Sequence, residues 1–246
     1  NGQGIYSIIK KIECVVVSQT LFSCDNYNQL VDMLLDQDSD INFKQNTGRI
    51  LMGTHQTKFT GFSIGANGVK QFCFPLVGNI LYNTNKYIPL FSAEKIRLKL
   101  TLDSAAIALR GDANLVDSDI TISQVEMVCY NVVVDEDVQQ QIDAMTGGLY
   151  TIIGDNYSHV GGNMVAQITA ANVVTGFSYG SLNRVLIAFN PTASRVVGRC
   201  SFTRTQNNLL SAALSINGQK LPQREIKELS TVANDLGGAE ALAEVL

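Results

Sequence analysis

Apolar and polar residues alternate along much of this chain with a period of two, the pattern of strands with one buried face. The cleanest case is Ile96, Leu98, Leu100 and Leu102, set against Arg97, Lys99 and Thr101. Residues 11–24 predict a strand pair, because Val15, Val16 and Val17 are too β-branched to favour a helix. Short strands separated by glycine turns are predicted over 49–75, in RILMG, TKFTGFSIG and VKQFCFP. Residues 105–111, AAIALRG, predict a short β segment, and more strands follow in 149–162, 163–180 and Leu182–Phe189. Leu210, Ala212, Leu214 and Ile216 share one face of another strand, and Asn217-Gly218 marks a hairpin turn.

Helical periodicity is confined to three places. Asp25 is expected to cap a short helix, in which Tyr27, Leu30, Val31, Leu34 and Leu35 form one apolar face that DQDSD (36–40) ends. Asp135 is a suitable N-cap, and Glu136 and Asp137 follow it where a helix N-terminus favours negative charge. Val138, Ile142 and Met145 then make a narrow stripe that Gly147-Gly148 stops. From Pro222 to the C-terminus the pattern is again helical, broken at Gly237-Gly238.

Stretch 120–148 organises the rest. Ile120 and Ile122 alternate with Thr121 and Ser123, but after Gln124 the apolar set moves to Val125, Met127 and Cys129. A bulge, or burial on both faces, accommodates that change of face. The stretch therefore reads as a long last strand, 120–134, a helical bridge and the start of a new β domain. With about a dozen strands and no regular strand–helix alternation, antiparallel sandwiches are favoured over a parallel sheet. The expectation is an all-β chain of two antiparallel jelly-roll (β-sandwich) domains. The first spans 1–137, the bridge 138–148, and the second, abbreviated or truncated, 149–246.

Composition narrows the function classes. The chain has 246 residues, 46% of them hydrophobic, enough for a sizeable core, yet no apolar run approaches the roughly 18–20 residues that span a bilayer. The net charge of −4, without a Lys/Arg-rich arm, is a poor basis for gripping a phosphate backbone. Five scattered cysteines (Cys14, Cys24, Cys73, Cys129, Cys200) form no C-x-x-C and read as reduced core thiols.

Candidate chemistry is thin. His55 and His159, the two histidines, lie in no metal-ligand spacing. Asp36, Asp38 and Asp40 imitate a calcium loop, but Ile41 stands where its glycine belongs and Thr47 where its bidentate glutamate belongs. Asp112, Asp117 and Asp119 read as a solvated loop before a cation site. No G-x-S-x-G elbow or phosphate-cradling glycine loop occurs. A non-enzymatic chain without a cofactor or metal is expected.

Two regions carry a family resemblance. FCFPLVGNILYNTNKYIPLFSAEKIRLKLTL (72–102), followed by VEMVCYNVVVDEDVQQQI, resembles the end of the first jelly roll in double jelly-roll major capsid proteins. These belong to tailless icosahedral DNA viruses, including the virophage and polinton-like groups. LNRVLIAFNP through RCSFTRTQNNLLSAALSINGQKLPQREI (182–226) is similar to the family's second roll, with its turn at Asn217, Gly218, Gln219, Pro222 and Ile226. The chain after 148 is shorter than a full second roll.

The resemblance implies a virion shell protein, assembled inside the host cell. Two barrels stand side by side, three copies form a pseudo-hexagonal capsomer, and capsomers tile the shell. Implied partners are further copies of the chain, neighbouring capsomers and minor capsid proteins, with an internal membrane beneath the shell in many such viruses. Genome packaging falls to other proteins, so no direct nucleic-acid contact is expected. Positions expected to define fold or assembly are Lys86, Tyr87, Pro89, Leu98, Leu100, Asp135, Val138, Ile142, Asn217, Gly218 and Pro222. Alternative readings are a minor or vertex jelly-roll protein and a β-sandwich module that binds glycans or protein surfaces.

Overall fold

Alternation in the first strand sets a three-stranded antiparallel sheet. The computed structural model describes residues 4–16, 19–55, 64, 67–82, 87–88, 95–109, 116–117, 120–162, 172–177, 180–188 and 211–227. A single-turn 3-10 helix, Gly4–Ile8, leads into β1 (Ile9–Val16), which pairs antiparallel with β2 (Gln19–Asp25) and β3 (Ile96–Leu102) in the order β2-β1-β3. Ile12 stands opposite Cys24 and Leu100, and Cys14 opposite Phe22 and Leu98. Cross-strand partners share a face, so these six side chains form one apolar sheet face. The other face carries Lys11, Glu13 and Lys99, with Lys11 Nζ 2.9 Å and Lys99 Nζ 3.0 Å from the Glu13 carboxylate. The register slips between Cys14 and Val15, leaving Leu21 as the extra residue of β2 and exposed.

Helix α1 (Tyr27–Asp38) buries all five residues of its predicted apolar face. Its N-cap is Asn26, in the left-handed region at φ 51°, and not Asp25. The calcium-loop imitation resolves into helix ends: Asp40 caps α2 (Ile41–Gln45) by accepting from the Phe43 N–H, and Asp36 accepts from Lys44 Nζ at 3.0 Å.

Two buried tyrosines close the core. Tyr6 packs edge-on against Tyr27 and Phe74, with ring centroids 6.4 and 5.2 Å away. Its hydroxyl donates to the Pro75 carbonyl at 2.6 Å, and that of Tyr27 to the Val77 carbonyl at 2.7 Å. Asn79, also buried, donates to the Leu76 carbonyl at 2.6 Å and accepts from the Leu81 N–H. Gly78, at φ 73°, lies where a Cβ would meet Leu34 and Leu30 at 3.2 and 3.3 Å.

Several expected strands take other forms. RILMG falls in helix α3 (Thr47–Met52), which ends at Gly53 in the left-handed region. Residues 105–108 form a helical turn, α4 (Ala105–Ala108), whose Ala105 N–H is met by the Asp117 carboxylate at 2.7 Å. The runs 120–134, 149–162 and 182–188 enter no ladder among the described residues. Helix α5 (Glu136–Thr146) forms where predicted and stops at Gly147, φ 61°.

By chain contacts the described residues divide after Leu182. The second unit holds an antiparallel hairpin, β4 (Ser211–Ile216) and β5 (Gln219–Lys227), turning at Asn217 and Gly218 with φ 51° and 79°. Two successive positive φ values are what a two-residue hairpin of matching twist requires. The helix expected from Pro222 is thus strand as far as Lys227, because closure at Asn217-Gly218 aligns 219–227 with β4. Residues 228–246 lie outside the described residues.

Ile12 is fully buried and Leu102 about half exposed. Ile12→Ala is expected to destabilise the first unit by about 2–4 kcal/mol and Leu102→Ala by less than about 1 kcal/mol. Urea unfolding of the two variants measures the difference, and equal losses would contradict this placement of the core.

Candidate assembly surface

Burial stops early in the chain. Every buried described residue lies between Tyr6 and Ala108, and no described side chain from Ile120 onward is buried. The apolar, β-prone stretch 120–134 therefore lies on the surface. Val125, Val128, Tyr130 and Val133 expose 74%, 92%, 85% and 87% of their surface, and Ile122, Met127, Val132 and Val134 are exposed as well. Residues from both strand faces are open, so this is more than the outer face of a sheet.

The backbone explains the change of face after Gln124. Gln124 sits at φ 53°, in the left-handed region, within an otherwise strand-like sequence. One such residue rotates the chain and restarts the alternation on the other side, as in a bulge. Ile120 N–H bonds to the Asp117 carbonyl at 3.4 Å, and Tyr130 stacks on Tyr87 at 6.3 Å with ring planes 25° apart. Among the described residues, 121–134 gain no strand partner.

Helix α5 continues this surface. Asp135 has the extended geometry of an N-cap (φ −65°, ψ 153°) but its side chain makes no capping bond. Glu136 and Asp137 place negative charge in the first turn, where the helix dipole favours it. Val138, Ile142 and Met145 lie on an exposed stripe. The end of the helix is tied down locally: Thr146 Oγ1 donates to the Ile142 carbonyl at 2.8 Å, and Tyr150 Oη donates to the Asp143 carboxylate. Beyond it the chain returns to the first core. His159 lies 3.3 Å from Asn26 Nδ2, and Gly154 sits where a Cβ would come within 2.8 Å of Ile80.

The expected fold-defining positions separate into groups. Leu98 and Leu100 are half-buried on β3, opposite Cys14 and Ile12. Tyr87 is exposed and stacked on Tyr130, a partner that sequence reasoning did not single out. Asp135, Val138 and Ile142 belong to α5, while Asn217 and Gly218 make the hairpin turn. Pro222 lies in β5, within the part facing a register break between Ala212 and Leu214. A residue without an N–H is tolerated at such a break. Lys86 and Pro89 lie outside the described residues, as do Cys200, Asp112 and Asp119.

The remaining titratable groups point to packing. Burial raises the Cys14 thiol and pushes Cys24 up to about 12, with the Asp25 charge adding to the rise at Cys24. Burial likewise raises the Tyr6 and Tyr27 phenols. Cys73 and Cys129 are exposed, contrary to the expectation of core thiols. On the charged sheet face, hydrogen bonds from Lys11 and Lys99 hold Glu13 below its ordinary value. Among the described residues no group of three His, Cys, Asp or Glu could hold a metal ion. No described helix is long and apolar enough to cross a membrane. No family model, curated protein or solved structure matches this chain.

The raised thiol and phenols fix the sign of a pH effect. A group whose folded value is raised contributes stability below its unfolded value, near 8.5 for a thiol and 10 for a phenol, and loses it as pH rises through the folded value. The urea midpoint of the first unit is expected to fall between pH 8 and pH 11. A midpoint that stays level over that interval would contradict the burial of Tyr6, Cys24 and Tyr27.

Proposed function

We propose that this chain is a structural subunit of a virion shell, a major capsid protein of the double jelly-roll type. On this reading it trimerises into pseudo-hexagonal capsomers that pack against neighbouring capsomers and minor capsid proteins. The observation that carries the proposal is the apolar, β-prone run 120–134, open on both faces and outside the buried core. Val125, Val128, Tyr130 and Val133 are each exposed over most of their surface, and contiguous exposed apolar residues of this kind mark interaction sites. A chain whose strand-forming segments remain open in isolation suits a role in which other copies cover them. The motif resemblance at 72–102 and 182–226 supports the double jelly-roll kind of assembly within this reading. A net charge of −4 with no basic arm suits a tile that leaves the genome to other proteins.

Light scattering after size exclusion, at low and high salt, tests the proposal. A species near three times 26.7 kDa, or larger shells, is expected. Because apolar burial drives the association, it is expected to persist or strengthen in sulfate. A pentamer would transfer the chain to a vertex role. A monomer at every concentration and salt would overturn the assembly reading.

A further inference from the structure

We infer that residues 154–159 are a strap over the first core, latched to Asn26 by neutral His159 and loosened when that ring takes up a proton. The inference stands apart from the assembly reading, because every contact it uses lies within the first unit of one copy.

The strap crosses 78–80 in the opposite chain direction. Gly154 comes so close to Ile80 that a Cβ there would lie 2.8 Å from Ile80 Cγ1. Three residues on, Tyr157 Cδ2 lies 3.6 Å from the Cβ position of Gly78. Gly154 and Tyr157 are half-buried while Asp155, Asn156, Ser158 and His159 are exposed, so the strap has an inner and an outer side. It reaches α1 at His159, where Asn26 Nδ2 is 3.3 Å from both Nδ1 and Nε2. Asn26 is fixed by the helix it begins, its carbonyl accepting from the Gln29 and Leu30 N–H groups at 2.9 and 3.2 Å. Its side chain makes no capping bond, which leaves the amide to His159.

A neutral imidazole has one accepting nitrogen, and either tautomer places it within reach of Asn26 Nδ2. An imidazolium has two donors and no acceptor. Protonation therefore sets donors against a donor. The elements around the latch bring Cys24 and Asp25 from β2, Tyr27 and Asp32 from α1, Tyr82 from 76–82, and Asp155 and Tyr157 from the strap itself. Asp25, next to the latch, is met by Lys11 Nζ at 3.4 Å. Among these residue types and histidine, histidine is the one that ordinarily changes charge between about pH 5.5 and about pH 7.5. The latched state binds one proton fewer than the released state, so the latch weakens as pH falls.

Hydrogen exchange of the full chain, followed by peptide mass spectrometry at about pH 7.5 and about pH 5.5, tests the latch. Protection factors remove the intrinsic pH dependence of exchange. Protection of 152–160 is expected to fall about three- to tenfold at the lower pH, the effect of one lost hydrogen bond, while β1 and α1 stay level. His159→Gln keeps an acceptor at every pH and is expected to abolish the change. Asn26→Asp offers the imidazolium a carboxylate and is expected to reverse it, with protection greater at the lower pH. Level protection of 152–160 in the unmodified chain would overturn the latch, since the Asn26 amide would then turn its oxygen to the imidazolium. A His159→Gln variant that loses protection as the unmodified chain does would also overturn it. Absence of protection over 152–160 at the higher pH would overturn the strap itself.

Discussion

The hydroxyls of Tyr6 and Tyr27 are the points on which the N-terminal core closes. The two rings pack edge-on against each other, and each hydroxyl bonds to a main-chain carbonyl of 75–77. A buried hydroxyl without a partner costs about 1–3 kcal/mol, so the two bonds matter less for their net gain than for the penalty they prevent. They also fix the path of the chain. Once Pro75 and Val77 are held, Gly78 passes close under Leu30 and Leu34, and Asn79 turns the segment back on itself. The charged face of the sheet adds little energy, since its ion pairs are solvated. It does determine which face is turned to water.

That closure has a consequence for the remainder of the chain. The first core is complete by Ala108, and the run beginning at Ile120 is just as apolar but finds no place inside it. An exposed run rich in valine, without a strand partner among the described residues, is a liability for an isolated protein and a resource for one that assembles. The left-handed turn at Gln124 and the firmly ended helix α5 bracket the run, so that its apolar surface is presented in one place. Gly154 and His159 then lead the chain back to the first core.

Local signals in the sequence were legible where they were redundant. Ile96–Leu102 alternated cleanly and met a matching strand in β1; Tyr27–Leu35 carried a full apolar face; Gly147 and Asn217-Gly218 demanded positive φ values and have them. The shift of face after Gln124 was visible as a break in alternation before its φ value explained it. What failed was partner choice. RILMG and AAIALRG look like strands by composition, but each is short and falls beside helix-favouring contacts, the Gly53 stop for one and the Asp117 carboxylate for the other. Residues 222–227 look helical until the hairpin turn supplies a neighbour. The run 120–134 shows the same limit from the other side: β-propensity states what a segment can do with a partner and does not supply one. Tyr130 carried no signal beyond its place in an apolar run, so its stacking on Tyr87 could not be read in advance.

The central claim is that one part of the chain is stable by itself while another acquires its structure from further copies. Hydrogen exchange followed by peptide mass spectrometry at low and high protein concentration tests it most directly. The account predicts that amides of β1 and α1 are protected equally at both concentrations, whereas those of 125–134 exchange freely when dilute and become protected as copies associate. Equal, strong protection of 125–134 in the dilute monomer would contradict it.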